Sequence, residues 1–122
     1  MTSSPLASQL LDAARAMNAA GLSVGTAGNL SVRHGKGFLI TPTGLPFEQC
    51  GTDDIVTMSM AGRPRGRRAP SSEWRIHRDI YRARSEAGAI LHAHSPFATA
   101  LACHRQGIPP FHYMIARFGG SN

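Results

Sequence analysis

The sequence predicts a domain of mixed α and β class, with helices packed on a sheet. Three observations carry this: an amphipathic run over residues 5–20, a glycine-centred pair of strand-like segments over 30–40, and a second amphipathic run over 72–85 that passes at once into an apolar strand. With 122 residues, 42% of them apolar and 16% charged, the chain is long enough for one hydrophobic core and too apolar for a disordered segment.

Taken in order, the first helix begins with Ser4 as a cap and Pro5 in its first turn, where a missing N–H costs nothing. Leu6, Leu10, Leu11, Ala14 and Met17 recur at helical spacing, and Gly21 ends the run. A glycine-broken loop, 24–29, then runs into a strand. His34-Gly35-Lys36-Gly37 reads as a turn and Phe38-Leu39-Ile40 as the returning strand. Thr41-Pro42-Thr43-Gly44 leaves the sheet as a tight turn, and 53–60 holds a further strand. An arginine-rich loop follows. Ser71-Ser72 open the second helix, whose inner face is predicted to carry Ile76, Ile80 and Tyr81. Ala89-Ile90-Leu91-His92-Ala93-His94 is a buried strand stopped by Ser95-Pro96. A third helix capped by Ser95 and ended by Gly107, then an extended segment over 108–116, complete the reading.

Several function classes fall away on composition. No apolar run reaches the length of a membrane span, and the N-terminus lacks the basic start and apolar stretch of a secretory signal. Cys50 and Cys103 are too few and too distant to read as a disulfide framework, and free thiols fit a cytoplasmic location. The formal charge of +6 concentrates in Arg63, Arg65, Arg67 and Arg68 and on the helix after them. Without aromatic interleaving or a nucleic-acid motif, this reads as a solvated loop and helix face, and neither nucleic acid nor membrane is expected as a partner.

The chemistry-bearing residues cluster at the ends of these elements. His92 and His94 stand two apart on one strand, so their imidazoles leave on the same face and could hold a divalent transition metal. The alternative is a pair of histidines that satisfy local hydrogen bonds. Gly28-Asn29, Thr43-Gly44 and Ser71-Ser72 are small polar segments with approachable backbone N–H groups, and the serine pair opens a helix. Together they could cradle a phosphate; singly, each is an ordinary turn or cap. Glu73 follows in the first helical turn, either as a helix-dipole acid or as a general acid/base beside the metal. His77, four residues on, reads as a structural residue or as a support for that carboxylate.

These residues, in this order, resemble the class II aldolase/adducin family, in particular its L-fuculose-1-phosphate aldolase branch. The resemblance is carried by Gly25-Thr26-Ala27-Gly28-Asn29-Leu30-Ser31, Thr41-Pro42-Thr43-Gly44, Pro70-Ser71-Ser72-Glu73, His92-Ala93-His94-Ser95 and the run from Ile108-Pro109 to His112-Tyr113. Each motif is weak alone, and the ordered set is specific. The resemblance implies a three-layer α/β/α fold on a mixed, mostly antiparallel sheet, assembled as a homotetramer with active sites between subunits. It implies one zinc ion held by His92, His94 and Glu73. Glu73 would also be the acid/base, and Tyr113 a proton donor across a subunit boundary. Gly28, Asn29, Thr43, Gly44, Ser71 and Ser72 would hold the phosphate of a sugar substrate.

The reaction so implied is cleavage of a ketose 1-phosphate to dihydroxyacetone phosphate and an aldehyde, with the metal stabilising an enediolate. The resemblance also implies a third histidine ligand beyond Asn122, so the 122 residues are read as the N-terminal part of a single family domain, with weak zinc binding and little turnover expected of them alone. A sugar-phosphate dehydratase or decarboxylase, and a non-catalytic adducin-like assembly domain, are the alternative readings within the family.

Overall fold

A computed structural model describes residues 5–23 and 26–93. Helix α1 spans Pro5–Ala19, strands β1 and β2 span Asn29–His34 and Gly37–Ile40, β3 is Val56–Met58, β4 is Pro64–Arg65, helix α2 is Trp74–Ala83 and β5 is Ala89–His92. Single 3-10 turns occupy Phe47–Gln49 and Thr52–Asp54. The expected third helix, the extended segment over 108–116, Cys103, His94 and Tyr113 lie outside the described residues, as does Ser4.

The strands form one sheet in the order β4-β3-β2-β1-β5, and every pairing among the described residues is antiparallel. Because a strand sends alternate side chains to opposite faces, β1 and β2 divide the core in two. Leu30 and Leu39 face α1 and join Ala7, Leu10, Leu11, Ala14 and Met17 in one buried cluster. Phe38 and Ile40 leave on the other face and pack with Val56, Met58 and Tyr81 of α2. Helix, sheet and helix are therefore stacked in three layers, as the sequence reading expects.

Gly21 ends α1 with a left-handed φ of 74°. The N–H of Leu22 reaches the Met17 carbonyl at 3.1 Å and that of Gly21 reaches Asn18 at 3.0 Å, a pattern that satisfies the last free carbonyls of a helix. Arg15 ties α1 to the following loop through Phe47 O (3.1 Å) and Cys50 O (2.8 Å).

Three expectations are corrected. The strand expected over 53–60 is confined to Val56–Met58, because Thr52–Asp54 turns as a 3-10 helix. There the Asp54 carboxylate accepts the Gly51 N–H at 2.9 Å and both Arg67 and Arg68, which draws the arginine loop onto the sheet and lets Pro64–Arg65 pair as an unforeseen edge strand. The inner face of α2 is His77 and Tyr81 in place of Ile76, Ile80 and Tyr81. Ile76 is 47% exposed and lines an open groove of about 790 Å³ with Ile80, Ala83, Ala89, Ile90 and Leu91. Polar residues on β1 face the helix here, so a polar stripe on α2 meets them and the isoleucines turn aside.

Asp54 supplies a pH dependence. The Gly51 N–H, then Arg68 and Arg67, hold its carboxyl down at about 2, against 3.8 for an ordinary aspartate. The folded state therefore binds fewer protons than the unfolded chain between those values, so this contribution is complete above about pH 4 and is lost as pH falls toward 2. The arginine partners are half exposed and screened, which keeps the effect near 1 kcal/mol. Urea midpoints should fall over that range in the native chain and stay flatter in Asp54→Asn.

Candidate functional site

The site forms where the β1–β5 pair meets the start of α2. Asn29 and His92 are directly paired across the two strands, so their side chains leave on the same face. That face carries α2, and Glu73, the residue that precedes its first turn, reaches both. Asn29 Nδ2 donates to Glu73 Oε1 at 2.8 Å, and His92 Nδ1 lies 3.3 Å from Glu73 Oε2. The carboxylate is thus bonded to β1 through one oxygen and faces the end of β5 with the other. Asn29 is buried, while Glu73 and His92 keep about a third of their side-chain surface open, at 31% and 29%.

Below them a polar network fills the space between β1 and α2. Asn29, Ser31 and Arg33 alternate along β1 and so share a face, and Glu73, His77 and Tyr81 recur at one helical turn. His77 Nε2 bonds Asn29 Oδ1; Ser31 Oγ lies 2.6 Å from His77 Nδ1 and 2.8 Å from the Tyr81 hydroxyl. Arg33 closes the far end, with its guanidinium 4.8 Å from the Tyr81 ring and bonded to the Tyr81, Arg84 and Ala87 carbonyls. Burial first, and the nearby His92 second, push His77 down to about 4, so its ring is neutral at pH 7. Burial likewise raises Tyr81 to about 12.

The small-residue segments line the approach to Glu73. An isolated bridge pairs Pro42 with Pro70, Thr43 N–H donates to Ala69 O at 3.1 Å and Ser71 N–H to Thr41 O at 3.0 Å. The 43–44 turn and the 71–72 helix start are therefore held side by side. Thr43, Gly44 and Ser72 are exposed; Ser71 is buried and its Oγ accepts the Glu73 N–H at 3.2 Å. Gly28 is buried at the head of β1, where a Cβ would come within 2.6 Å of Met17, 2.8 Å of Ser23 Oγ and 3.1 Å of the His92 carbonyl. Only glycine lets the strand pass so close to His92.

Gly28, Asn29, Thr43, Gly44, Ser71, Ser72, Glu73 and His92 thus gather around the start of α2, whereas His94 and Tyr113 lie outside the described residues. The sequence reading gives Ser31 and Tyr81 no role in the site. Their signal was a polar alternation, Asn29-Ser31-Arg33, inside an otherwise apolar hairpin, repeated on the helix as Glu73-His77-Tyr81. Among the described residues no three His, Cys, Asp or Glu side chains stand close enough to hold a metal ion, and no helix is long and apolar enough to cross a membrane.

Comparison with known proteins places the chain in a family. The chain is 53% identical over 113 residues to a 5-methylthioribulose-1-phosphate/5-deoxyribulose-1-phosphate aldolase of Rhodospirillum rubrum, a match covering 93% of this chain and 51% of that protein. It is 43% identical over 122 residues to the L-fuculose phosphate aldolase of Escherichia coli, covering 100% of this chain and 57% of the relative. A solved L-fuculose 1-phosphate aldolase superposes with a TM-score of 0.79 at 41% identity, over 95% of this chain and 56% of that one. The chain spans about half the length of these relatives. Residues 8–122 match the family described as the class II aldolase and adducin N-terminal domain, and to that family the chain belongs.

Proposed function

We propose that these residues form part of the active site of a zinc-dependent aldolase that cleaves a ketose 1-phosphate to dihydroxyacetone phosphate and an aldehyde. The observation that carries this reading is the position of Glu73, bonded to Asn29 and facing His92 at 3.3 Å, beside two paired loops of small polar residues. Relatives named for aldolases of 5-methylthioribulose 1-phosphate, 5-deoxyribulose 1-phosphate and L-fuculose phosphate support the substrate class.

The residues present suit the metal. A neutral imidazole and a carboxylate are donors that catalytic zinc sites use, and His92 and Glu73 face each other at 3.3 Å, both partly open. His94, two residues along, would supply the next donor. When bound, zinc acts as a Lewis acid that draws electron density from the ketone of the substrate.

The remaining work falls to the chain. Gly28, Asn29, Thr43, Gly44, Ser71 and Ser72 would receive the phosphate, Thr43 and Ser71 through their hydroxyls because their N–H groups already bond Ala69 O and Thr41 O, aided by the positive end of α2. Anchoring that dianion sets the carbon next to the ketone against Glu73. In synthesis Glu73 takes a proton from this carbon, whose electron pair then attacks the aldehyde carbon, and Tyr113 gives a proton to the aldehyde oxygen. In cleavage Tyr113 takes the hydroxyl proton, the carbon–carbon bond breaks, and Glu73 returns a proton to the carbon left behind. On the same reading the protein is a cytoplasmic homotetramer whose sites lie between subunits.

The test is aldehyde release from ketose 1-phosphates with and without added zinc, by the chain joined to a C-terminal half such as its relatives carry. Zinc-dependent release that Glu73→Gln abolishes is expected; release indifferent to Glu73 would refute the assignment. The phosphate cradle makes a separate prediction. Ser71→Ala and Ser72→Ala should each weaken binding of a sugar phosphate by about 1–3 kcal/mol, since each removes a hydrogen bond to a charged group. Calorimetry showing equal affinity for the sugar phosphate and the free sugar would contradict it.

A further inference from the structure

The polar network beneath Glu73 has a direction, and each step of it follows from the chemistry of the groups. A carboxylate only accepts hydrogen bonds, so Asn29 turns its NH₂ to Glu73 Oε1, which leaves its carbonyl oxygen facing His77. That oxygen also only accepts, so His77 Nε2 carries the ring hydrogen. The ring is neutral, so Nδ1 is bare and accepts from the Ser31 hydroxyl 2.6 Å away. With its hydrogen on His77, Ser31 Oγ accepts from the Tyr81 hydroxyl at 2.8 Å. Every hydrogen points the same way, from Tyr81 through Ser31, His77 and Asn29 to the carboxylate.

We infer that His77 is a positioning residue: backed by Ser31 and Tyr81, it holds the Asn29 amide with its nitrogen on Glu73 and so orients the carboxylate. A flipped amide would set its oxygen against Glu73, and the Nε2–H of His77 against an NH₂ group, two repulsive contacts at once. In a chain of aligned donors each bond polarises the next, so the set is stiffer than its members taken singly. The partners come from two elements, β1 and α2, so the carboxylate is referenced to the sheet as well as to its own helix. The catalytic consequence rests on the reading of Glu73 as the proton-transferring group; the hydrogen-bond directions do not.

The first test needs no turnover. In the ¹⁵N-labelled chain near neutral pH, His77 should show a single tautomer with Nε2 protonated and Nδ1 bare. The Asn29 side-chain amide should show one proton moved downfield and slow to exchange. His77→Leu should erase that Asn29 signature. His77→Gln, whose amide nitrogen can still donate to Asn29 Oδ1, should keep it. Ser31→Ala, which removes the donor to Nδ1, should let the tautomers mix, and it serves in place of His77→Leu should the latter not fold. A protonated Nδ1 in the native chain, or an Asn29 amide unaltered by His77→Leu, would overturn the inference.

The second test is kinetic, on a ketose 1-phosphate with zinc, with the chain joined to a C-terminal half such as its relatives carry. His77→Leu should lower kcat about 10- to 100-fold with KM within about threefold, and His77→Gln should recover most of the loss. Turnover by the joined chain with kcat unchanged in His77→Leu would overturn the positioning role. The expected tautomer with no turnover even by that joined chain would refute the aldolase reading and leave the hydrogen-bond chain standing.

Discussion

His92→Ala is expected to lower the zinc affinity of this chain on the order of 10- to 100-fold or more, and His94→Ala to do the same. His92 sits at the end of β5, where pairing with Asn29 fixes its face of the sheet and brings its Nδ1 to 3.3 Å from Glu73 Oε2. A donor held by strand pairing is already ordered before the ion arrives, so its loss removes a bond that no flexible neighbour can replace. His34, exposed at the far end of β1, is the internal control, and His34→Ala should leave affinity unchanged. Competition against a chromophoric chelator measures all three. Equal zinc uptake by the native chain and the double histidine variant would refute the metal assignment.

Gly37→Ala is expected to destabilise the fold by about 3 kcal/mol or more, the upper end of the cost of overpacking a close-packed interior. Gly37 opens β2 at a point where the neighbouring strand passes directly over it, and an added Cβ would run into the backbone carbonyl of Met58. A side chain could rotate away from such a contact, but a carbonyl within a paired strand cannot. Either the β2–β3 ladder opens at Phe38 and Met58 or the strands move apart, and both expose buried Phe38 and Met58. Gly35, two residues earlier, separates this effect from simple loss of glycine. It has open space around its Cβ position and a φ of 58°, so Gly35→Ala should cost only about 1–2 kcal/mol of left-handed strain. Urea midpoints at constant m-value give both numbers. A Gly37→Ala chain within 1 kcal/mol of the parent, on that same scale of overpacking costs, would show that β3 yields more easily than its pairing implies.

Much of this architecture was legible in the chain. The 3.6-residue spacing of Leu10, Ala14 and Met17 places α1, and the turn chemistry of His34-Gly35-Lys36-Gly37 places the β1–β2 hairpin, because both signals are local. The gathering of Gly28, Asn29, Thr43, Gly44, Ser71, Ser72, Glu73 and His92 was expected from the family resemblance that their ordered motifs carry, and from no spacing within the chain. The strand bounds around 53–60 were not. The Asp54 carboxylate captures nearby Gly51 and also Arg67 and Arg68, 13 and 14 residues away, and no local periodicity announces that capture.

The inner face of α2 shows the same division. Hydrophobicity alone selects Ile76 and Ile80, yet His77 and Tyr81 are the residues buried. A helix turns toward whatever it packs against, and β1 presents Asn29, Ser31 and Arg33 on that side. By itself, the sequence determined which segments are helix or strand and which motifs stand at their ends, since those depend on neighbours a few residues apart. Only the tertiary structure decided that Glu73 lies between Asn29 and His92, and that a one-way hydrogen-bond chain supports it. Those contacts join residues far apart in the chain. Their directions emerge only once every buried donor and acceptor has found its partner.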